Sequence, residues 1–340
     1  MQLNRIGRDW RLKVAVQRLI GLVPGPAAFV INEKIVSRMQ RGVAARLDLE
    51  ARVRKGLDNL ALVRTETGFT PLGSRIFELG TGWHGADLLV FYALGAESIT
   101  TIDHHPHLDL PTVRDLAGRL CREPLRTELA LAGAPEERLR LLAEYARTST
   151  SLPDLLPRLG VTFLIRPSRD YGRLPVSPGS VDLFYSESVL QRIPERDLSA
   201  LFGAMASRYM APGAAFFHRT DQKDIHAQEH VGASGELWAL EYLKFEELFF
   251  RTIYSGRLTS QNRLRESDFT ALLEKAGLVP DRILSECRSE DVRRMGRLRV
   301  ASRFADYSMT DLATIATRFV GRRAPGFSVG EEETTASAVG

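Results

Sequence analysis

The segment from Arg75 to Asp103 constrains this chain more than any other. Ile76-Phe77-Glu78-Leu79 is a short β-type run, and it leads directly into the turn ELGTGWHG, Glu78 to Gly85. An apolar helical stretch from Leu88 to Leu94 comes next, closed by Gly95; Ser98 to Ile102 is then β-rich and ends at Asp103. Strand, glycine turn, helix, strand and acid make a βαβ unit, which commits the chain to a parallel sheet covered by helices. Gly80 and Gly82 let the backbone turn tightly and come close to a ligand. The first N–H groups of the following helix are free to meet it. The spacing Gly80-x-Gly82-x-x-Gly85 also satisfies a dinucleotide pattern, in which a pyrophosphate sits on the helix N-terminus.

The rest of the chain extends this unit. Residues 108–160 are polar and helical, Val161 to Ile165 reads as a third strand, Val181 to Tyr185 as a fourth and Ala214 to His218 as a fifth. A helical segment from Val189 to Tyr209 joins the last two. Ser267 to Ala276 reads as a helix closed by Gly277, and Val279 to Leu284 as a strand. Alternation resumes from Asp311 to Val320, and TRFVGRR makes a final strand.

Upstream, Leu12 to Val23 carries a helical stripe stopped by Pro24-Gly25-Pro26. Further helical patterns run from Ala27 to Met39 and from Val43 to Val63, and Thr65 to Ser74 reads as a loop. Each helix shows one apolar face that needs a partner. Residues 1–70 are therefore expected to be a helical extension or lid on a main domain of residues 71–322. The small, acidic stretch 323–340 is expected to be disordered.

Composition narrows the class. With Cys121 and Cys287 as its two cysteines, the 340-residue chain has no disulfide framework. No stretch is long and apolar enough for a membrane span. The first residues lack the layout of a secretory signal, so a cytoplasmic protein is expected. The net charge of +4 is uneven: residues 1–75 hold 14 Lys and Arg against 6 Asp and Glu, which leaves the remainder acidic. That basic segment is either a surface for an anionic partner or a solvated helix face. Aromatic residues are not interleaved with its charges, so no nucleic-acid partner is expected.

The glycine turn and the segments after it resemble the class I S-adenosylmethionine (SAM) dependent methyltransferases. Glu78-x-Gly80-x-Gly82 matches their first motif, although the family's third glycine falls at His84 here and Gly85 is one residue later. An acid at the first position suits a ligand with an ammonium and a sulfonium better than it suits a pyrophosphate. The resemblance implies that Asp103 accepts from the ribose hydroxyls. It also matches Asp170-Tyr171-Gly172-Arg173-Leu174-Pro175 to a segment that places Asp170 at the adenine amino group and Tyr171 at its ring. Val181-Asp182-Leu183 and YSESVLQRIPE match the fourth strand and the turn after it, with Gln191-Arg192 in place of a pair ending in His. ESDFTALLEKAGLVPDRIL resembles the helix before the family's last hairpin.

The fold so implied is α/β: a Rossmann-like, seven-stranded, doubly wound sheet of order 3-2-1-4-5-7-6, with strand 7 antiparallel. Its ligand lies at the C-terminal ends of strands 1 and 4. SAM is the implied cofactor. Glu78, Gly80, Thr81, Gly82, Trp83, Asp103, His104, Asp170, Tyr171 and Ser186 are its candidate contacts. The N-terminal helices and NRLRESDF are similar to a bacterial subgroup found in biosynthetic gene neighbourhoods, which implies secondary or envelope-related biosynthesis.

In this fold the side chains after strands 4 and 5 face the acceptor: Tyr185, Ser186 and Glu187, then His218, Arg219 and Asp221. Methyl transfer to oxygen, nitrogen or acidic carbon can need a base. The catalytic candidates are Glu187, His218 and Tyr185. Glu187 is equally readable as a cap for the helix near Val189, and His218 as a satisfied histidine on the sheet. Asp221, Asp224 and His226 could hold Mg²⁺ or form a polar loop. His104, His105 and His107 could bind a metal or flank the cofactor mouth; no metal is expected.

Trp83 either faces the sulfonium or packs. Residues 228–262, with Trp238, Tyr242, Phe245, Phe249, Phe250 and Tyr254, match the family's substrate lid and imply a partly apolar or aromatic small-molecule acceptor. They are also readable as a stripe buried on the N-terminal helices. Asn262, Arg263 and Arg265 either bind an anion or pair with Glu266 and Asp268. A homodimer stays open. Two further readings use the same SAM site: intramolecular cyclisation that releases methylthioadenosine, and binding without catalysis. An RNA or lipid methyltransferase using the basic segment is a fourth.

Overall fold

The computed structural model describes residues 48–104, 106–165, 174–227, 238–256 and 260–325, together with 14, 15, 18–20, 22 and 23. Most of the expected N-terminal helices, His105, Asp170, Tyr171, residues 228–237 and the tail from 326 onward lie outside the described residues.

Helix α1 (Leu49–Thr67) starts on an Asp48 cap, whose carboxylate accepts from the Ala51 N–H at 3.0 Å, and ends at Gly68 with φ 68°. It runs into the stretch read from sequence as a loop, because Thr65 and Thr67 turn their hydroxyls back onto the Ala61 and Val63 carbonyls. The core unit is β1 (Arg75–Leu79), α2 (Ala86–Ala93) and β2 (Ser98–Asp103). Four helices come next: α3 (Leu110–Leu120), α4 (Leu125–Leu131), α5 (Glu136–Thr148) and α6 (Leu152–Arg158). Then come β3 (Val161–Ile165), β4 (Val181–Glu187), α7 (Glu195–Ala204) and β5 (Met210–Asp221). The chain closes with α8 (Glu266–Lys275), β6 (Leu278–Cys287), α9 (Ser289–Met295), α10 (Met309–Ala313) and β7 (Thr314–Arg323).

The seven strands form one sheet of order β3-β2-β1-β4-β5-β7-β6. The first five are mutually parallel, and β7 lies antiparallel between β5 and β6. This is the expected doubly wound arrangement. Its strand order reverses between β1 and β4, where such sheets open a crevice at their C-terminal edge.

Side-chain alternation puts Ile76, Leu183, Tyr185 and Phe217 on one face with α1 to α6. Phe77, Leu79, Phe184 and Phe216 face the other layer with α7 and α8. A third core gathers Trp238, Tyr242, Phe250 and Tyr254 with Met295, Phe304, Leu312 and Ile315.

Among the described residues, the aromatic stripe of the 228–262 insertion is buried on the segment from α9 to β7. Trp238 donates its indole N–H to the buried Asp291 at 2.7 Å, and the Arg263 guanidinium lies 4.0 Å over Phe250. The N-terminal segment touches this region through Arg18, which donates to the Arg251, Ile253 and Ser255 carbonyls. Leu248 and Ile253 remain exposed.

Candidate functional site

The C-terminal ends of β1 and β2 carry the expected acids. Glu78 and Thr101 are register partners on adjacent parallel strands, so their side chains leave the same face. The Thr101 hydroxyl donates to the Glu78 carboxylate at 2.6 Å and lies 2.5 Å from the Thr81 hydroxyl. All three are buried. Asp103 closes β2 directly under the glycine turn, accepting from the Gly82 N–H at 3.0 Å and the His104 N–H at 2.6 Å.

The two glycines differ. Gly80 has φ +89°, and a Cβ there would stand 2.2 Å from Val189 Cγ2, so glycine is required to pack the turn on the segment after β4. Gly82 has φ +66° and open space where its Cβ would be. The backbone is therefore bare on the side where a ligand can approach.

The site holds an acid that the sequence pattern did not single out. Asp87, in the first turn of α2, is half-buried between α1 and the sheet and accepts from the Tyr185 hydroxyl at 3.1 Å. Burial, with the Asp87 charge adding to it, pushes the Glu78 carboxyl up to about 8. Burial and the neighbouring Glu187 push Asp87 up to about 7. Two desolvated carboxyls poised near neutrality beside Asp103 make a place that a cation would stabilise. This is the fit test for a ligand carrying an ammonium and a sulfonium, and the described residues pass it.

Helix α1 completes the cluster. Asn59, buried in its apolar stripe, donates to Tyr185 Oη at 2.9 Å and to Glu187 Oε2 at 3.1 Å. Lys55 Nζ lies 2.5 Å from Glu187 Oε1. Arg219 and the Ser188 hydroxyl donate to that same oxygen at 3.2 and 2.9 Å. Glu187 thus has four donors and caps no helix. The sequence did carry a signal for Asn59, a polar residue in step with Val53, Gly56, Leu60 and Val63. Lys55 and Asp87 gave none beyond helical surface charge.

The other candidates fall in two groups. Tyr185 is fully buried, stacked on Phe217 at 5.0 Å, and burial holds its hydroxyl well above the usual range. His218 is enclosed by Phe184, Phe202 and Phe216, with Nδ1 at 2.9 Å from the Ser186 hydroxyl. Burial pulls His218 down to about 3, so it stays neutral. It lies on the sheet face opposite Tyr185 and Glu78, as its register with Ser186 requires.

Trp83, 37% exposed, stacks on His107 at 3.9 Å beside the glycine turn. Asp221 pairs with Lys223 at 3.4 Å, while Asp224 accepts from the His226 N–H and the Tyr254 hydroxyl. Among the described residues no group of three metal-ligating side chains forms. Asn262, Arg263 and Arg265 hold the loop before α8. Asn262 donates to the Leu190 and Ile193 carbonyls, Arg263 pairs with Glu247, and the Arg265 guanidinium donates to the Asp311 and Thr314 carbonyls. Asp268 meets this loop through the Arg265 backbone N–H at 2.8 Å. A separate groove of about 520 Å³ beside α8, β6 and α10 takes no residue from β1, β2 or β4.

No protein-family model and no curated protein matches the chain. Solved structures similar to it include a SAM-dependent methyltransferase from Mesorhizobium loti, 14% identical over 77% of this chain and 96% of that one, with a TM-score of 0.40. A geranyl diphosphate methyltransferase in complex with SAM is 12% identical over 85% and 91%, at 0.42. Geranyl diphosphate C-methyltransferase from Streptomyces coelicolor is 11% identical over 78% and 74%, at 0.41. At these scores the likeness adds nothing to the strand order already established, and what the chain does is read from its own residues.

Proposed function

We propose that the protein is a SAM-dependent methyltransferase acting on a small-molecule acceptor, in the biosynthetic setting that its N-terminal and NRLRESDF segments resemble. The observation that carries this reading is the buried acid cluster under the glycine turn. Glu78 and Asp87 are uncharged or half-charged on their own, and Asp103 stands beside them. A dinucleotide pyrophosphate would meet only repulsion there. An ammonium and a sulfonium would meet attraction.

In this reading Glu78 receives the ammonium past the bare backbone at Gly82. Asp103 accepts from the ribose hydroxyls, with His104 at the rim. Thr81 orients Thr101 and so Glu78. Trp83, held by His107, offers an aromatic face to positive charge. Ser186, steadied by His218, completes the wall at the end of β4. The resemblance assigns Asp170 and Tyr171 to the adenine, and both lie outside the described residues. When bound, SAM supplies an electrophilic methyl whose C–S electron pair stays on sulfur, while the acceptor lone pair makes the new bond. Tyr185 and Glu187 hold α1 on β4 and so close the crevice against water.

Calorimetry with SAM tests the site. Asp103→Ala removes two hydrogen bonds to a charged group, each worth about 1.5–3 kcal/mol. Unchanged affinity would sink the placement. Product analysis tests the reaction: S-adenosylhomocysteine supports methyl transfer, and methylthioadenosine overturns it in favour of cyclisation.

A further inference from the structure

The ends of β4 and β5 carry the opposite charge balance to the ends of β1 and β2. Four cations gather there, Lys55, Arg192, Arg219 and Lys223, against two carboxylates, Glu187 and Asp221. Lys55 and Arg219 both converge on Glu187, and Lys223 takes Asp221, so the two acids are already neutralised. The surplus is positive and is partly screened from water. The Arg219 side chain is 15% exposed and that of Glu187 10%.

A guanidinium presents five N–H donors in a rigid fork. At Arg219 only Nη1 is engaged, by Glu187 at 3.2 Å and by the Ser188 hydroxyl at 2.8 Å. Its Nε and Nη2 have no protein acceptor among the described residues. Arg192 is half-buried, and Nη1 meets one neutral carbonyl, that of Ser260, at 3.3 Å. Desolvation pulls Arg192 down to about 10, with the Asp221 charge working against the shift.

Backbone geometry sets both groups beside β5. Ser188 sits at φ +59°, in the left-handed region that a residue with a side chain avoids. Its N–H donates to the Arg219 carbonyl at 2.8 Å, and its carbonyl accepts from the Gln191 side chain at 2.8 Å. Gln191 Oε1 in turn faces the Asp221 N–H at 3.5 Å. The strained turn thereby folds the Gln191-Arg192 segment back onto the strand that carries Arg219. Under-partnered arginine forks are the groups that recognise planar oxyanions.

We infer that the methyl acceptor carries an oxyanion, a carboxylate or a phosphate, and that Arg219 and Arg192 bind it, with Lys55 at the rim. The inference rests on the methyl-transfer reading only in calling that ligand the acceptor. The position at the β4 and β5 ends sets the oxyanion beside the acid cluster, to which Asn59 and Tyr185 join Glu187.

The test uses the full chain, saturated with S-adenosylhomocysteine and titrated by calorimetry with benzoate, phenyl phosphate and neutral benzamide. Saturable binding of at least one anion, about tenfold or more tighter than benzamide, is expected. Comparison of the two anions separates a carboxylate site from a phosphate site. Arg219→Gln and Arg192→Gln should each weaken that anion about tenfold or more, and Arg219→Lys less. Arg288→Gln, on an exposed arginine, should leave it unchanged. Anions that bind no better than benzamide, or glutamine variants that bind like the wild type, overturn the inference. The wild-type comparison decides the matter even if the glutamine variants fail to fold. Should the protein not bind S-adenosylhomocysteine, the methyl-transfer reading fails, and the same titrations without it still decide whether the anion site exists.

Discussion

Lys55 Nζ and Glu187 Oε1 lie 2.5 Å apart, which ties the second turn of α1 to the last residue of β4. A carboxylate with Lys55, Arg219, Asn59 and Ser188 around it is an anchor, because it takes a hydrogen bond from each of them. Glu187→Gln should therefore lower stability by about 1–2 kcal/mol in urea unfolding, after discounting the half-exposed lysine. It should leave kcat within about threefold. A base at this position would instead cost about 10²–10⁴ in rate, and that loss with stability intact would overturn the anchor role.

Glu78 and Asp87 predict a pH response. Burial raises both, to about 8 and about 7, above the ordinary 4.5 and 3.8, with the Asp87 charge adding to the shift of Glu78 and the Glu187 charge to that of Asp87. The folded chain then holds protons that the unfolded chain has released. These groups consequently destabilise the ligand-free protein as pH rises from near 4 to near 8. A cationic ligand favours the ionised carboxylates, so its binding expels protons and tightens over the same range. The melting-temperature gap between SAM-bound and free protein should widen from about pH 6 to 7.5, below the titration of an α-ammonium. A gap that stays flat or narrows would remove Glu78 from the ammonium.

His218 carries the opposite sign. Burial holds it down to about 3 against an ordinary 6.5, so the unfolded chain binds the extra proton between those values. The stability it supports is complete above 6.5 and lost as pH falls. His218→Leu should cost about 2 kcal/mol more at pH 7 than at pH 5. Denaturation at both pH values checks this. An equal cost at both would mean that the imidazole is not held neutral.

Gly80 and Gly82 should separate folding from binding. Gly80→Ala drives a methyl into Val189 and should lower both stability and SAM affinity. Gly82→Ala meets nothing in the protein, so its stability cost is the left-handed strain alone, about 1–2 kcal/mol. Its affinity for SAM should still fall at least about tenfold, because the new methyl occupies the ligand's side of the turn. Affinity that tracks stability in both variants would place the ligand elsewhere.

Several strands were legible as short apolar runs closed by glycine, whereas their order was implied by the resemblance to the methyltransferases and not by the pattern; Glu78 and Asp103 stand at strand ends by sequence position alone. The clamp was not legible. Lys55 and Glu187 are 132 residues apart, and a charge carries no mark of its partner. The environment of His218 was equally hidden, since the rings that enclose it come from β4, β5 and α7. The aromatic stripe of 238–254 announced that it would be buried but not against which surface, because an amphipathic face fits any apolar surface of matching shape. Asp87 read as an ordinary first-turn acid, and only the approach of α1 makes it part of the site.

The place of Asp87 beside α1 depends on a side chain that glycine does not have. At Gly56 a Cβ would lie 2.7 Å from Asp87 Oδ1, while its next neighbour, Val90, would be at an ordinary 3.7 Å. Glycine in a helix interior weakens the helix, and here the missing side chain leaves the Asp87 carboxylate the space it occupies. A methyl group at position 56 would press on that carboxylate and turn it aside from Tyr185. The orientation of an acid on the sheet side is in this sense set from a helix that precedes the sheet altogether.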